Sequence, residues 1–304
     1  MRKGIWRLVI VMALVLTVAA PVPASAATDY FTDDNGNIHE ANINTIAELG
    51  ITLGCGVGIY CPAAPVTRAQ MASFLARAAN LPAVFVDYFG DDNGNVHEAN
   101  INKIAAVGVT KGCGVGIYCP AQNVTREQMA SFIARLLGLG AGPDRFTDDT
   151  GSVHEADINK IAAAGITIGC DDTGTKFCPK DPVRRDEMAS FLARAVAYGL
   201  NRYPSVSITS PTNLATFQTT WNGTFYVATV TLSATVSDPD GDATTVQWFS
   251  SVQGAGLTGA TVTATLAIPA GQSSSQPIIT ATATDSKGAK SSASIQLKLI
   301  IGSP

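Results

Sequence analysis

The sequence predicts a multidomain protein: an all-α module of three helix-loop-helix repeats about a pseudo-threefold axis, followed by an all-β sandwich. One motif recurs at residues 31–78, 89–136 and 146–195, and each copy carries one close pair of cysteines. From residue 204 onward cysteines are absent and apolar residues alternate with Ser and Thr. We therefore predict repeats over 27–82, 83–141 and 142–203 and a β-domain over 204–304.

The first 26 residues have the organisation of a secretory signal peptide. Three basic residues precede the apolar run 8–20, and a small-residue cleavage site, Ala24-Ser25-Ala26, follows it. An uncleaved anchor is the alternative, but the run is short compared with the roughly 20 residues of a membrane span. We expect cleavage after residue 26, a secreted protein located outside the cell at the wall or surface, and no membrane span in the mature chain.

The charge balance excludes some partners. The net charge is −4, and loss of the three N-terminal basic residues changes it to −7. Binding to nucleic acid or to an anionic membrane needs concentrated positive charge, so neither is expected as a partner.

The cysteines are expected to form disulfides, because export places them in an oxidising compartment. The natural partners are the two cysteines within each repeat: Cys55 with Cys61, Cys113 with Cys119, and Cys170 with Cys178. Zinc thiolates are the alternative, but this spacing does not match the usual zinc motifs.

Each repeat is predicted to contain two helices. An Asp/Asn/Gly turn leads into the first helix near His39, its apolar stripe includes Ile43 and Ile46, and Gly50 suits its left-handed C-terminus. The second helix begins at Thr67, which has capping-box spacing to Gln70, and apolar residues then recur at helical intervals.

The order Phe-x-Asp, His-x-x-x-Ile, Gly-Ile/Val-Thr, Tyr/Phe-x-Pro and Val-Thr-Arg resembles the S-layer homology repeat, three times over residues 31–195. This resemblance implies a three-pronged spindle of helices with grooves between the prongs. It also implies non-covalent binding of a cell-wall polysaccharide, often an acidic, pyruvylated polymer. Departures from the family pattern include Gln70 and Gln128 where the family has Glu, and Glu at the position of its helix Trp.

The resemblance also assigns candidate polysaccharide-binding residues. They are the motif arginines and the start-motif aspartates: Arg68, Arg126, Arg185, Asp33, Asp91 and Asp148. A guanidinium near a helix N-terminus offers paired donors beside a positive dipole end. The alternative is that each Arg pairs with an Asp and only fixes the packing of the repeats.

Two further residue sets are considered as metal sites and set aside. The three histidines, one per repeat, could converge on zinc, but local bonding at the helix starts explains their repetition. The Asp-Asp-x-Gly turns lack the ligand positions of a 12-residue calcium loop.

The last hundred residues predict about seven strands around an internal Trp248, which indicates an immunoglobulin-like sandwich. The stretch 237–242 resembles a loop of bacterial Ig-like and PKD-type domains. Asp238, Asp240, Asp242 and Asp285 are weak calcium candidates there, although plain turn chemistry also explains them.

No catalytic motif occurs, so we expect neither an enzyme nor a bound cofactor. The leading interpretation is a wall-anchoring surface protein that displays an Ig-like domain. The alternatives are a structural or adhesive protein whose repeats mediate self-assembly with other chains, and, less favoured, a wall-polymer hydrolase.

Overall fold

The computed structural model describes residues 28–302. The predicted signal peptide, residues 1–26, lies outside this range. The repeat region contains six helices among the described residues, two in each repeat. They are α1 (Glu40–Glu48), α2 (Arg68–Ala78), α3 (Glu98–Ala106), α4 (Arg126–Leu137), α5 (Glu155–Ala163) and α6 (Arg185–Tyr198).

Ten strands follow in the second region. They are β1 (Ser205–Ser210), β2 (Thr216–Trp221), β3 (Tyr226–Ser237), β4 (Thr244–Ser250), β5 (Gly254–Thr258), β6 (Thr261–Ala267), β7 (Ser274–Ser275), β8 (Ile278–Asp285), β9 (Lys290–Gln296) and β10 (Lys298–Ile301). One sheet has the order β1-β3-β2-β10-β7 with β6 also paired to β3, and the other has the order β5-β4-β8-β9. Their apolar faces share a core that includes Val230, Trp248 and Leu299.

The helix ends follow the sequence signals. Thr67 caps α2 and Thr125 caps α4, each with a complete capping box to the Gln three residues later. Gly50, just after α1, has a φ of 68°, the left-handed conformation expected there.

The predicted fold class is wrong in its all-α part. Helices account for 23% of the structure and strands for 27%, in antiparallel and mixed sheets. The helices of the repeats have only 9 to 14 residues, because Gly-, Asn- and Pro-rich turns interrupt them, and isolated β-bridges link neighbouring repeats. In the second region β10 pairs with β2 in parallel, and ten strands replace the seven expected.

The three repeats close into a ring around three valines. The backbone N–H of Val66 donates to Val183 O, that of Val183 to Val124 O, and that of Val124 to Val66 O, each at 2.9 Å. Each second helix also packs against the first helix of the next repeat: α2 on α3, α4 on α5, and α6 on α1. Every groove between these helix pairs is therefore built from more than one repeat.

The three disulfides have the predicted pairing, with sequence separations of 6, 6 and 8 residues. Between residues 28 and 302, no helix combines the length and the apolar character needed to cross a membrane.

The repeats and the strands meet at the start of β1. The Asn80 side chain donates to Tyr203 O at 2.7 Å and to Ser205 Oγ at 3.3 Å, and the Arg202 backbone N–H donates to Asp240 at 2.7 Å.

Candidate ligand-binding grooves

Two equivalent cavities lie between the repeats, and three repeats contribute to each. Groove 1, with a volume of about 190 Å³, is lined by the loop 52–55, by Gln70 and Arg77 of α2, by His97 and by Arg185. Gly54 in that loop has a φ of 76°, and a Cβ there would lie 2.4 Å from Ile59 O, so the wall needs glycine.

Groove 2 is the same structure one repeat further along the chain. It has a volume of about 290 Å³ and is lined by Lys111, by Gln128 and Arg135 of the second repeat, by His154 and by Arg68. Groove 1 thus has its loop from the first repeat and its motif arginine from the third. Groove 2 has its loop from the second repeat and its motif arginine from the first. The three motif arginines do not converge on one site; Arg68 and Arg185 lie in different grooves.

The motif arginines are buried and held by aromatic rings. Arg68 is 4% exposed, its guanidinium carbon lies 4.8 Å from the centre of the Tyr118 ring and 5.6 Å from that of Phe132, and its Nε donates to Tyr118 O at 2.7 Å. Arg185 has the same arrangement on Tyr60 and Phe74. Burial lowers the pKa of both guanidinium groups, which nevertheless remain charged at neutral pH.

Each of these two arginines also has an unused donor. Within the described part of the chain, Nη2 of Arg68 and Nη2 of Arg185 have no hydrogen-bond partner. An unpaired buried donor is costly, and because Nη2 has almost no exposed surface, an anion in the groove would reach it only after a shift of the arginine side chain.

The helix N-termini do not form the anion site that the sequence argument expected. The backbone N–H of Arg68 donates to Gln122 O at 2.8 Å, and that of Ala69 donates to Pro120 O at 3.0 Å. The next free amide, that of Gln70, is capped by Thr67. Because the neighbouring repeat consumes these donors, any anion in the grooves has to be bound by side chains.

The two grooves carry positive charge within an acidic protein. Arg77 and Arg185 line groove 1, while Arg68, Lys111 and Arg135 line groove 2, and neither lining includes a carboxylate. Sequence reasoning missed Arg77 and Arg135. Their signal was the Ala-Arg pair late in each second helix, which recurs as Arg194 in the third repeat.

The third repeat differs from the other two at the equivalent position, because Glu187 stands where they have Gln70 and Gln128. Its Oε1 lies 2.9 Å from Arg126 Nη1, and its Oε2 accepts the Arg184 backbone N–H at 3.0 Å. Arg126 is therefore neutralised inside the protein, whereas Arg68 and Arg185 face uncharged Gln128 and Gln70. This is the carboxylate pairing that the sequence argument held open as the alternative to binding, and it occurs at one arginine.

The start-motif aspartates hold the disulfide loops. Asp33 accepts the backbone N–H groups of Tyr60 at 2.7 Å and Cys61 at 2.8 Å, one on each oxygen. Asp91 and Asp148 make the equivalent pairs of bonds in the second and third repeats. Asp33 and Asp91 do not line groove 1 or groove 2, and these contacts give the three carboxylates a structural role; their predicted role in binding stays a prediction.

The histidines bond locally through their backbone N–H groups, which donate to the side chain two residues earlier, and bond between repeats through their rings. Nδ1 of His97 lies 2.8 Å from Ser73 Oγ, and Nδ1 of His154 lies 2.7 Å from Ser131 Oγ. His39 makes the same contact with Ser190 and so joins the third repeat to the first. Burial lowers the pKa of His97 and His154, which favours the neutral ring.

The acidic loop of the β-region is only partly bonded from within: among the described residues, Oδ2 of Asp238 and Oδ2 of Asp285 have no hydrogen-bond partner. Oxygens of Asp238, Asp240 and Asp242 lie within 4.8 Å of one another. However, Asp238 accepts two backbone N–H groups of its own turn, and Lys287 Nζ lies 2.9 Å from Asp242. Asp285 Oδ1 likewise accepts N–H groups of the following turn. Turn hydrogen bonds and a cluster of carboxylate oxygens are thus both present in this loop, and the choice between plain turn chemistry and calcium stays a prediction.

A larger cavity, of about 360 Å³, lies in the β-region. It is lined by apolar and uncharged polar residues that include Trp248, Leu257 and Leu266. Its lining offers no charge to an anionic ligand.

Comparison with known proteins finds that the chain is similar to S-layer proteins. The chain is 31% identical over 196 residues to the S-layer protein sap of Bacillus anthracis and 30% identical over 196 residues to an S-layer protein of Bacillus thuringiensis subsp. finitimus. Each match covers 60% of this chain and 23% of the relative, so the chain spans about a quarter of the length of these relatives. A shorter match, 32% over 93 residues, is to an endoglucanase of Bacillus sp. strain KSM-635, and it covers 31% of this chain and 10% of that enzyme.

Other comparisons add little. No protein-family model matches the chain. An endo-β-1,4-mannanase from Thermotoga petrophila matches over 77% of this chain and 60% of its own at 11% identity, with a TM-score of 0.24. A nucleoside hydrolase-related protein from Saccharophagus degradans matches over 77% and 65% at 14% identity, with a TM-score of 0.25. Neither likeness carries an argument at these scores. The chain is therefore similar, over about 60% of its length, to S-layer proteins, and these relatives confirm the predicted location outside the cell, at its surface.

Proposed function

We propose that the repeat region attaches the protein non-covalently to an anionic cell-wall polysaccharide through groove 1 and groove 2. The observation that carries this proposal is that both grooves are lined by cationic side chains with no carboxylate, in a chain whose net charge is −4. An acidic sugar chain gains charge-assisted hydrogen bonds in such a groove.

The remaining lining also suits a sugar. Groove 1 presents the amide of Gln70 and the hydroxyl of Ser73 beside the apolar side chains of Leu53 and Phe74. Sugar hydroxyls need neutral donors and acceptors, and the apolar face of a pyranose ring packs on aliphatic and aromatic groups. A carboxylate such as that of a pyruvyl group would complement the unpaired Nη2 of Arg185.

Co-sedimentation with isolated bacterial wall sacculi tests the proposal. The test variant is Arg77→Gln combined with Arg135→Gln, because these side chains line the two grooves and are less buried than the motif arginines. The matched control is Arg194→Gln, which removes the equivalent arginine at the third groove position. We expect the double variant to lose at least tenfold in wall affinity and the control to bind like the unchanged protein.

Equal binding by all three proteins, with circular dichroism showing them folded, would refute the groove assignment. Sacculi stripped of acidic polymers separate the ligand source: loss of binding to them supports an anionic glycan, and full binding to them contradicts it.

Self-assembly is the second candidate function, and one observation favours it. Each repeat exposes a large apolar side chain just before its first helix: Ile38, Val96 and Val153 are at least 90% exposed. A set of exposed apolar groups on related positions suits contacts with further protein chains, in keeping with the similarity to S-layer proteins. Analytical ultracentrifugation in the absence of polysaccharide distinguishes the two candidates, since only self-assembly gives concentration-dependent growth in size.

A further inference from the structure

Each repeat buries a carboxylate for which the described part of the chain offers no partner. The second Asp of each Asp-Asp pair is 1% exposed: Asp34, Asp92 and Asp149. Neither side-chain oxygen of any of the three accepts a hydrogen bond. The first Asp of each pair, in contrast, has both oxygens bonded to backbone N–H groups.

The surroundings of the buried carboxylates are acidic. The charges of Asp29 and Glu40 act on Asp34 and, after burial itself, help to raise its pKa. Asp87 and Glu98 act in the same way on Asp92, and burial and the flanking acids also raise the pKa of Asp149. Among the described residues, the charged side chains that contribute most to these pKa shifts are all acidic.

The flanking acids keep oxygens free. Glu40 uses Oε2 to accept the Gly36 N–H at 2.7 Å, and Asp29 uses Oδ1 to accept the Phe31 N–H at 3.4 Å. Each therefore retains a second oxygen. The spacing is the same in all three repeats, with an Asp five residues before the buried Asp and a Glu six residues after it.

Neither of the ordinary explanations accounts for this arrangement. A buried carboxylate is usually paired with a base or with several N–H donors, since desolvation of an unpaired charge is costly. A protonated carboxyl would remove the charge, but its O–H would itself need an acceptor. A hard cation satisfies the buried carboxylate and its acidic neighbours together.

We propose that each repeat binds one divalent cation, best matched by calcium, at its buried second aspartate with the two flanking acids as further ligands. The sites are Asp34 with Asp29 and Glu40, Asp92 with Asp87 and Glu98, and Asp149 with Asp144 and Glu155. Calcium accepts six to eight oxygen ligands in flexible geometry, and every side chain of the set offers oxygen only. In each site the three carboxylates do not all lie within 4.8 Å of one another, so a bound cation would have to draw them together.

The proposed site differs from an EF-hand loop, and for that reason the sequence pattern did not indicate it. The ligands come from the start of the repeat, the turn and the first helix, not from alternating positions of one loop. The cation would tie the turn to the start of α1, α3 and α5, next to the contacts that join neighbouring repeats.

Calcium binding to the purified chain, freed of cations by dialysis against a chelator, tests the proposal without any polysaccharide. The background carries Asp238→Asn, Asp240→Asn and Asp242→Asn, which removes the acidic loop of the β-region. Equilibrium dialysis with radioactive calcium is expected to give three ions per chain, at dissociation constants on the order of 10⁻³ M or tighter, as in extracellular modules. Each single variant, Asp34→Asn, Asp92→Asn or Asp149→Asn, should lose one ion, and the triple variant should lose all three.

Thermal unfolding provides the second readout. The melting temperature of the background protein is expected to rise with millimolar calcium, whereas that of the triple variant should not change. Asparagine removes a buried charge, so the triple variant should fold at least as stably as the cation-free protein. Absence of calcium binding at 5 mM, or an unchanged stoichiometry in the triple variant, overturns the proposal.

Discussion

The Arg126–Glu187 ion pair allows a sharp test of the idea that anionic sugars occupy the grooves. Glu187→Gln gives the third repeat the residue that stands at Gln70 and Gln128 in the others. The substitution should open a third cationic groove, because Arg126 then faces an uncharged amide like Arg68 and Arg185. Glutamine retains an oxygen that can accept the Arg184 N–H, so the helix cap survives.

The substitution should cost some stability. Arg126 keeps its Nε bond to Phe177 O at 2.8 Å, its Nη2 bond to Gly169 O at 3.3 Å and its contacts with the rings of Phe177 and Phe191. The charged bond to residue 187 is lost, because the amide oxygen of Gln accepts the Arg184 N–H and the remaining NH2 group is a donor like the guanidinium, so the cost is about 1.5–3 kcal/mol. The melting temperature should fall by about 3–12 °C for a domain of this size.

The expected gain in binding follows from Coulomb's law. A ligand carboxylate about 6 Å from Glu187 is repelled by about 1–3 kcal/mol at effective dielectric constants of about 50 down to about 20. Removal of that charge should therefore tighten binding of an acidic wall polymer by about fivefold or more. Isothermal titration calorimetry with solubilised wall polymer at low and high salt measures this gain, which should shrink as salt increases. Unchanged or weaker binding by the folded variant would refute the assignment of anion binding to the grooves.

Three further predictions concern stability. Thr67→Ala and Thr125→Ala each remove a capping-box bond and should lower the free energy of unfolding by about 1 kcal/mol, measured by urea titration with Thr→Ser as control; a loss shared by the serine variants would contradict the capping role. Reduction of the three disulfides, which close small loops, should cost about 2–3 kcal/mol for each bond, measured as the shift in urea midpoint with reductant; no shift would contradict it. In the cation-free protein the pKa values of Asp34, Asp92 and Asp149 are raised by burial, so these groups destabilise the fold when they are ionised. The stability of the protein relative to its Asp34→Asn, Asp92→Asn, Asp149→Asn variant should therefore increase as the pH falls from 7 through the raised pKa values towards 3.8, and saturating calcium should abolish that trend; a pH-independent difference without calcium would contradict it.

Local features of the repeat were predictable because they depend on short-range chemistry. The capping box at Thr67, the left-handed Gly50 and the three disulfides all involve residues within about ten positions of one another, and all are present. The all-α prediction was wrong because it considered only the helices of each repeat, although the turns between them make up most of its residues.

The candidate site is formed by contacts between different repeats. The periodicity within one repeat does not predict such contacts. Arg185 reaches Tyr60 across 125 positions, and His39 reaches Ser190 across 151. Sequence reasoning could not assign different roles to Asp33 and Asp34, because they are neighbours in one turn and only the directions of their side chains differ. In the fold one accepts backbone N–H groups near the surface and the other is buried without a partner.

The closed ring of Val66, Val124 and Val183 fixes the copy number of the unit. In an open solenoid the end faces are free, so copies can be gained or lost one at a time. Here the first copy donates the Val66 N–H to Val183 O of the last copy, and deletion of any one copy would leave its two neighbours with unpaired backbone groups and exposed apolar faces. We therefore expect whole repeats to be gained or lost in this region three at a time, and tighter binding of the proposed wall polymer would require additional rings.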